Sequence, residues 1–510
     1  MLALALMLGL LPTAEATNVA DSLTVGIQSG KTSTIRPLLP VERDVMSIYN
    51  LVYESLVTID DDYLPQPQLA ESWEMSGGGK TWTFHLRQNV YFSDGTQMTA
   101  RDVAATINYI LTRATDEYTD DPGYYRNLQY FVSSATAASD FTLTVKAKRA
   151  YYGLLYAMTF PVLPADQVDQ DNPCGTGPYV ITTFETGSYL YLQTNDYWWQ
   201  TAPQVETIMV VCHENPGDVI DSYQYARVDT MFTRSISAAQ YKSGTASLAL
   251  DYRTNQLETV VINQSAAYLD SSLMRQAIRY LIDPDKIASQ VYMNMVKRTD
   301  TPMISGTWMY DSSISHVTDK ELAKQLLAED GWGDSDEDGV LDRLKSDGSG
   351  LQRLHLRLYY YEEPDNDVRA AAANLIADAL SEVGFEVSPT AMTMTDMREK
   401  LSAGSFDLAL VSYAMDVCPD PGFLLSKSNT GNYGRYNSAD MNTLCDELRK
   451  AATQEDFKNV LYKIQQQFYN DCPFICLFYR AGAVVTRRMY TTVRDVRELE
   501  LLRGIESFRE

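Results

Sequence analysis

Residues 64–111 read LPQPQLAESWEMSGGGKTWTFHLRQNVYFSDGTQMTARDVAATINYIL, and their local signals agree on a hairpin, a turn and a capped helix. Two short runs, 70–74 and 81–86, carry Trp73, Trp82 and Phe84, and Gly77, Gly78 and Gly79 between them supply the permissive backbone of a tight reversal. Thr81, Thr83 and His85 alternate with Trp82, Phe84 and Leu86, the period of a strand with one buried face. After the turn Ser93-Asp94-Gly95, Thr99 and Asp102 form a capping box ahead of Val103, Ile107, Ile110 and Leu111, so a helix begins there. Gly79-Lys80-Thr81 imitates the end of a phosphate loop. Glu74 stands where that loop needs its first glycine, and a strand follows, so no helix N-terminus faces a phosphate.

Working outward, 510 residues with 45% hydrophobic content exceed one ordinary domain and suffice for two or three cored units. With 67 acidic against 42 basic residues the net charge is −25, which argues against nucleic acid or an anionic membrane as partner. The 34 tyrosines suit a wet, adaptable pocket, since each offers a flat apolar body with a polar tip, though some belong to the core. Residues 1–16, with an apolar centre and Ala14-Glu15-Ala16, read as a secretory signal lacking its basic start, and the stretch is too short to span a membrane. Cys174, Cys212, Cys418, Cys445, Cys472 and Cys476 form no dense disulfide framework, and Cys472 and Cys476 read as small buried residues. Four scattered histidines give no metal site, with Cys212-His213-Glu214 the one soft-ligand cluster.

The order Ser72-Trp73-Glu74, then GKTWTFHLR, VYFSDG and TARDV resembles the bacterial extracellular solute-binding proteins of family 5, the oligopeptide and dipeptide receptors of ABC importers. Further segments match that family in the same order: Gly175-Thr176-Gly177-Pro178-Tyr179, Met274-Arg275-Gln276-Ala277-Ile278, 323–342, Phe406-Asp407-Leu408, 413–421 and Asp471-Cys472-Pro473. The resemblance implies an α/β fold of the type II, large-cluster periplasmic-binding-protein kind. Two lobes are joined by a hinge of two crossover strands, and an extra subdomain is inserted in the first. The boundaries that follow are 17–45 with 172–262 and 478–510 for the first lobe's core, 46–171 for the subdomain and 263–477 for the second lobe. Crossovers are expected at 260–263 and 474–480, where short apolar strands meet a change of pattern.

The resemblance also implies an exported, non-enzymatic monomer without cofactor, which captures short peptides between its lobes and hands them to membrane permease subunits. Asp416 is the site residue carried over. In the family, an aromatic residue, two more and then Asp, with Asp-Pro shortly after, line the cleft, and that Asp pairs with the ligand's α-amino group. Tyr413-Ala414-Met415-Asp416 with Asp420-Pro421 matches, Tyr replacing the commoner Trp. An ammonium leaving water needs such an ionised partner, although a plain loop acid is the alternative. Tyr413, Met415 and Cys418 flank it, Trp308 stands in an aromatic loop that could cover a ligand, and Tyr433 and Arg435 lie in a flexible tract. Asp334, Asp336, Asp338 and Asp342 imitate a calcium loop, but Lys345 replaces its closing Glu, so a surface turn competes with a metal site. Rival readings are another solute, an oligosaccharide or chelated nickel, and a secreted glycoside hydrolase. The last lacks any recognisable pair of acids.

Overall fold

The computed structural model describes residues 21–505, apart from 31, 40–41, 116–122, 346–347, 364–365, 417–419, 428 and 489–495. The expected signal segment and Cys418 therefore lie outside the described residues.

An eleven-stranded sheet runs through the molecule. At its centre the strands Leu248–Ile262 and Phe474–Thr486 pair antiparallel along most of their length. Phe474–Thr486 is buried almost throughout, as expected of a strand covered on both faces. Beyond it on one side come Thr230–Thr233, Ser22–Gln28, Thr207–His213, Tyr189–Thr194 and Tyr179–Glu185. Beyond Leu248–Ile262 on the other come Leu408–Ala414, His355–Tyr361 and Glu386–Met392, and the short strand Val296–Arg298 pairs antiparallel with Phe474–Thr486 off this path. The two long strands thus serve both lobes. Phe474–Thr486 meets Thr230–Thr233 through its residues 483–486, and Leu248–Ile262 meets Leu408–Ala414 through 256–262. A register shift between Arg253 and Leu257, facing Ala481 and Tyr479, marks the change of neighbours. The crossing therefore lies several residues before the expected 260–263, and at the end of the expected 474–480. Those apolar runs are the buried cores of strands already inside the second lobe, which is why hydropathy alone misplaces the crossing.

The opening block forms half of a separate four-stranded sheet, ordered Ala70–Ser76, Thr81–Leu86, Thr142–Ala147 and Val132–Ser139. Trp82, Phe84 and Leu86 are buried, and the three turn glycines all take positive φ. The helix Ala100–Thr115 lies against this sheet, and Asp102 accepts from both the backbone amide and the hydroxyl of Thr99, each at 2.8 Å. Two of the matched motifs have plain structural reasons. A β-carbon on Gly175 would stand 2.0 Å from the Val52 carbonyl oxygen, so only glycine permits that approach. Arg275 is buried and donates to the carbonyls of Leu269, Asp270, Asp471 and Cys472, tying the helix Ser272–Leu281 to the start of the C-terminal crossover strand.

Candidate ligand-binding cleft

A cavity of about 480 Å³ opens between the lobes. Tyr63, residues 123–128 and Tyr156 line it on one side, Ile304 and residues 414–416 on the other. Arg253 and Asn255, at the register shift, lie on its wall, as do Arg497 to Glu500 near the chain end. The site therefore sits where the crossover strands change lobes, and relative movement of the lobes would open it.

Asp416 follows directly on the strand Leu408–Ala414 and is exposed to the cavity. Its Oδ2 accepts from the side-chain amide of Asn127, 3.1 Å away on the opposite wall. Most other charges there are paired. Arg43 holds Glu498 at 2.9 Å, and the second oxygen of Glu498 accepts from the Asn255 backbone amide at 2.6 Å. Arg497 pairs with Glu500 at 2.9 Å and donates to the carbonyls of Ile59 and Asp60. The Arg253 guanidinium lies 4.9 Å from the ring centre of Tyr63 and 5.0 Å from that of Tyr479, cation–π geometry that also fixes Tyr63. Burial, then the neighbouring Tyr124 and Asp416, raise the Tyr125 phenol, so it stays a neutral donor.

Of the residues singled out in the sequence, Asp416 and Met415 line the cavity. Tyr413 does not: it is buried, its hydroxyl donates to the Gly431 carbonyl at 3.0 Å and its ring stacks on Tyr433 at 6.1 Å. Tyr433 is thereby packed against the buried core and does not line the cavity. Arg435 is also elsewhere, donating to the Ser402 carbonyl at 3.1 Å beside Gly404, where it closes the end of the helix Met394–Ala403. Trp308 backs the wall without lining it. Its Nε1 donates to the Tyr63 carbonyl at 2.9 Å and its ring meets Tyr152 edge-on, so it joins the two sides of the cleft.

The acidic turn brings Asp334, Asp336 and Asp338 together on the surface, with Arg353 paired to Asp338. Asp342 is buried and occupied by Ser335, whose hydroxyl donates to it at 2.6 Å, which removes it from the turn's outer face. Among the described residues Cys212 and His213 gather no ligand set, and the described cysteines are free. Sequence reasoning missed Tyr63, Arg126, Asn127, Arg253 and the residues 497–500. The aromatic run Tyr124-Tyr125 beside Arg126-Asn127 was the available signal.

A second cavity, of about 490 Å³, adjoins the first across Asn50, Ile59, Thr159 and Glu500. Glu54 is buried in its wall and accepts from Trp199 Nε1 at 2.8 Å and Gln68 Nε2 at 3.3 Å. Burial raises its carboxyl to about 7 against the opposing pull of those hydrogen bonds.

Comparison with known proteins agrees with this architecture. The oligopeptide-binding protein AppA of Bacillus subtilis is 23% identical over 473 residues, 88% of this chain and 84% of that protein. The ABC transporter substrate-binding protein CtaP of Listeria monocytogenes superposes with a TM-score of 0.80 at 20% identity, covering 96% of this chain and 98% of that one. NikA of Brucella suis, solved with Fe(III)-EDTA, gives 0.79 at 20% identity, covering 95% and 99%. Both superpositions report the shared fold. Residues 65–435 match the family described as bacterial extracellular solute-binding proteins, family 5 Middle. With a sheet shared by two lobes, a cleft at its crossing and that match over most of its length, the chain belongs to the bacterial extracellular solute-binding proteins of family 5.

Proposed function

We propose that this protein is an exported, non-catalytic receptor that captures short peptides between its lobes and presents them to the permease of an ABC importer. The observation that carries the reading is Asp416, an exposed carboxylate at a strand end that projects into a tyrosine- and arginine-lined cavity between the lobes. A ligand ammonium enclosed there would exchange hydration for an ionised partner, with Asn127 able to turn aside. The name of AppA, oligopeptide-binding, supports the same class of solute. Among the described residues no helix is long and apolar enough to cross a membrane.

Asp416→Asn tests the reading by calorimetry. Affinity for peptides with a free amine should fall roughly 10- to 100-fold, while N-acetylated controls should be unaffected. Equal affinity of the two proteins for free-amine peptides would refute the assignment.

A further inference from the structure

We infer that the second cavity, beside Glu54, is a separate site for a neutral polyhydroxylated ligand, a mono- or disaccharide. The inference does not rest on the peptide reading. No residue between 201 and 499 lines this cavity of about 490 Å³, so Ile304 and residues 414–416, which form the far wall of the cleft, take no part in it. Its lining carries two acids, Glu54 and Glu500, and two bases, Arg87 and Arg503. Glu500 and Arg503 satisfy each other at 3.3 Å, and Arg497 and Asp61 pair with them in turn. Glu54 and Arg87 have no ion-pair partner among the described residues; what they touch is neutral.

That acid and that base flank one indole. Trp199 donates to Glu54 at 2.8 Å, and the Arg87 guanidinium lies over the same side chain, 4.9 Å from its ring centre, while its Nε donates to the Gln68 carbonyl at 2.6 Å. The Gln68 side chain donates in turn to Glu54 at 3.3 Å and closes the circle. The arrangement selects against charge. A cation drawn to Glu54 meets Arg87, and an anion drawn to Arg87 meets Glu54, so either loses to one group what it gains from the other. A hydroxyl donates and accepts, so neighbouring hydroxyls of one sugar ring answer the carboxyl and the guanidinium together. Burial keeps part of the Glu54 carboxyl protonated near pH 7, which makes it a donor as well as an acceptor towards such groups. Trp198, half-buried in the cavity lining and tilted against Trp199 at 5.7 Å, supplies an apolar face for the C–H side of the ring. A buried acid of shifted titration in a cavity of this size is the mark of a small-molecule site.

Calorimetry on the full chain, stripped of retained ligand, tests this with glucose, N-acetylglucosamine, maltose and cellobiose, and with choline and acetate as charged controls. At least one sugar should bind with a Kd below about 1 mM, while choline and acetate should give no heat of binding. Arg87→Gln and Trp198→Ala should each weaken that sugar about tenfold, and Asp416→Asn should leave its affinity unchanged. Should Arg87→Gln fail to melt cooperatively, Trp198→Ala, at a half-buried ring, decides alone. Binding of choline or acetate without any sugar overturns the inference, as does binding of none of the probes. A sugar affinity that falls in Asp416→Asn and survives in Arg87→Gln and Trp198→Ala places the sugar in the cleft and also overturns it. The peptide reading is untouched by each of these results, because it stands or falls on the free-amine titration.

Discussion

Glu54 is the residue whose chemistry departs most from its sequence setting. It lies in an unexceptional stretch, Tyr53-Glu54-Ser55-Leu56, yet it is 3% exposed and its carboxyl is raised to about 7, chiefly by burial. In the unfolded chain the same group ionises near 4.5. The folded protein therefore keeps a proton that the unfolded chain has already released. This contribution to stability is complete below about pH 4.5 and disappears as pH rises towards 7. Glu54→Gln removes the titration, so its stability relative to wild type should increase by about 2–3 kcal/mol between pH 5 and pH 8. Urea unfolding of both proteins at the two pH values measures this, and a pH-independent difference would show that Glu54 is ionised throughout. Asp416 was legible because a family pattern surrounds it. Glu54 was not, because its partners Gln68 and Trp199, the latter 145 positions away, are brought to it only by the fold.

At the scale of elements, the crossover strands are held by charge as well as by apolar packing. Glu258 of Leu248–Ile262 is fully buried. It accepts from Arg369 at 2.8 Å and Ser412 at 2.6 Å, and Arg480 of Phe474–Thr486 lies 3.7 Å away. Glu363 pairs with both arginines at 2.7 Å. Burial alone would raise the Glu363 carboxyl, but the guanidiniums of Arg480 and Arg369 outweigh it and hold it below its ordinary value. Removing one member leaves the others buried with too few partners. Glu258→Ala should lower stability by about 3–5 kcal/mol, seen as a lower urea midpoint, whereas a loss under about 1 kcal/mol would show that the two arginines are satisfied by Glu363 alone. The opening hairpin and helix were readable in the sequence because their hydrogen bonds and turn chemistry are local. The helix Gln454–Asp471 was readable too, in the spacing of Phe457, Leu461, Ile464 and Phe468, although the sequence reading leaves it out. The register shift at Arg253 and Leu257 had no local signal, since it depends on a partner more than two hundred residues away.

At the scale of the whole molecule, the cleft walls already touch. Asn127 reaches Asp416, Trp308 reaches the Tyr63 carbonyl, and the Tyr152 backbone amide donates to the Ala451 carbonyl at 2.8 Å. Each contact joins segments that the two lobes supply separately. Combining Asn127→Ala with Trp308→Phe deletes two of them while keeping an aromatic ring at 308. Small-angle scattering of the ligand-free double variant should give a larger radius of gyration than wild type, and identical curves would show that closure rests on other contacts. The removed polar contacts are each worth about 1 kcal/mol, enough to shift a two-state population several-fold. None of these pairings was visible in the sequence, because each joins residues from 245 to nearly three hundred positions apart.

The central place of Phe474–Thr486 also governs the order in which the protein can fold. A strand from the last tenth of the chain fills the middle of the largest sheet and pairs with one made more than two hundred residues earlier. Until it arrives, Leu248–Ile262 and Thr230–Thr233 each present an unpaired edge, and the sheet remains two fragments. Such non-local closure is slow, and it cannot begin during synthesis of the first nine tenths of the chain. A polypeptide built this way cannot complete its largest sheet until that strand has been made.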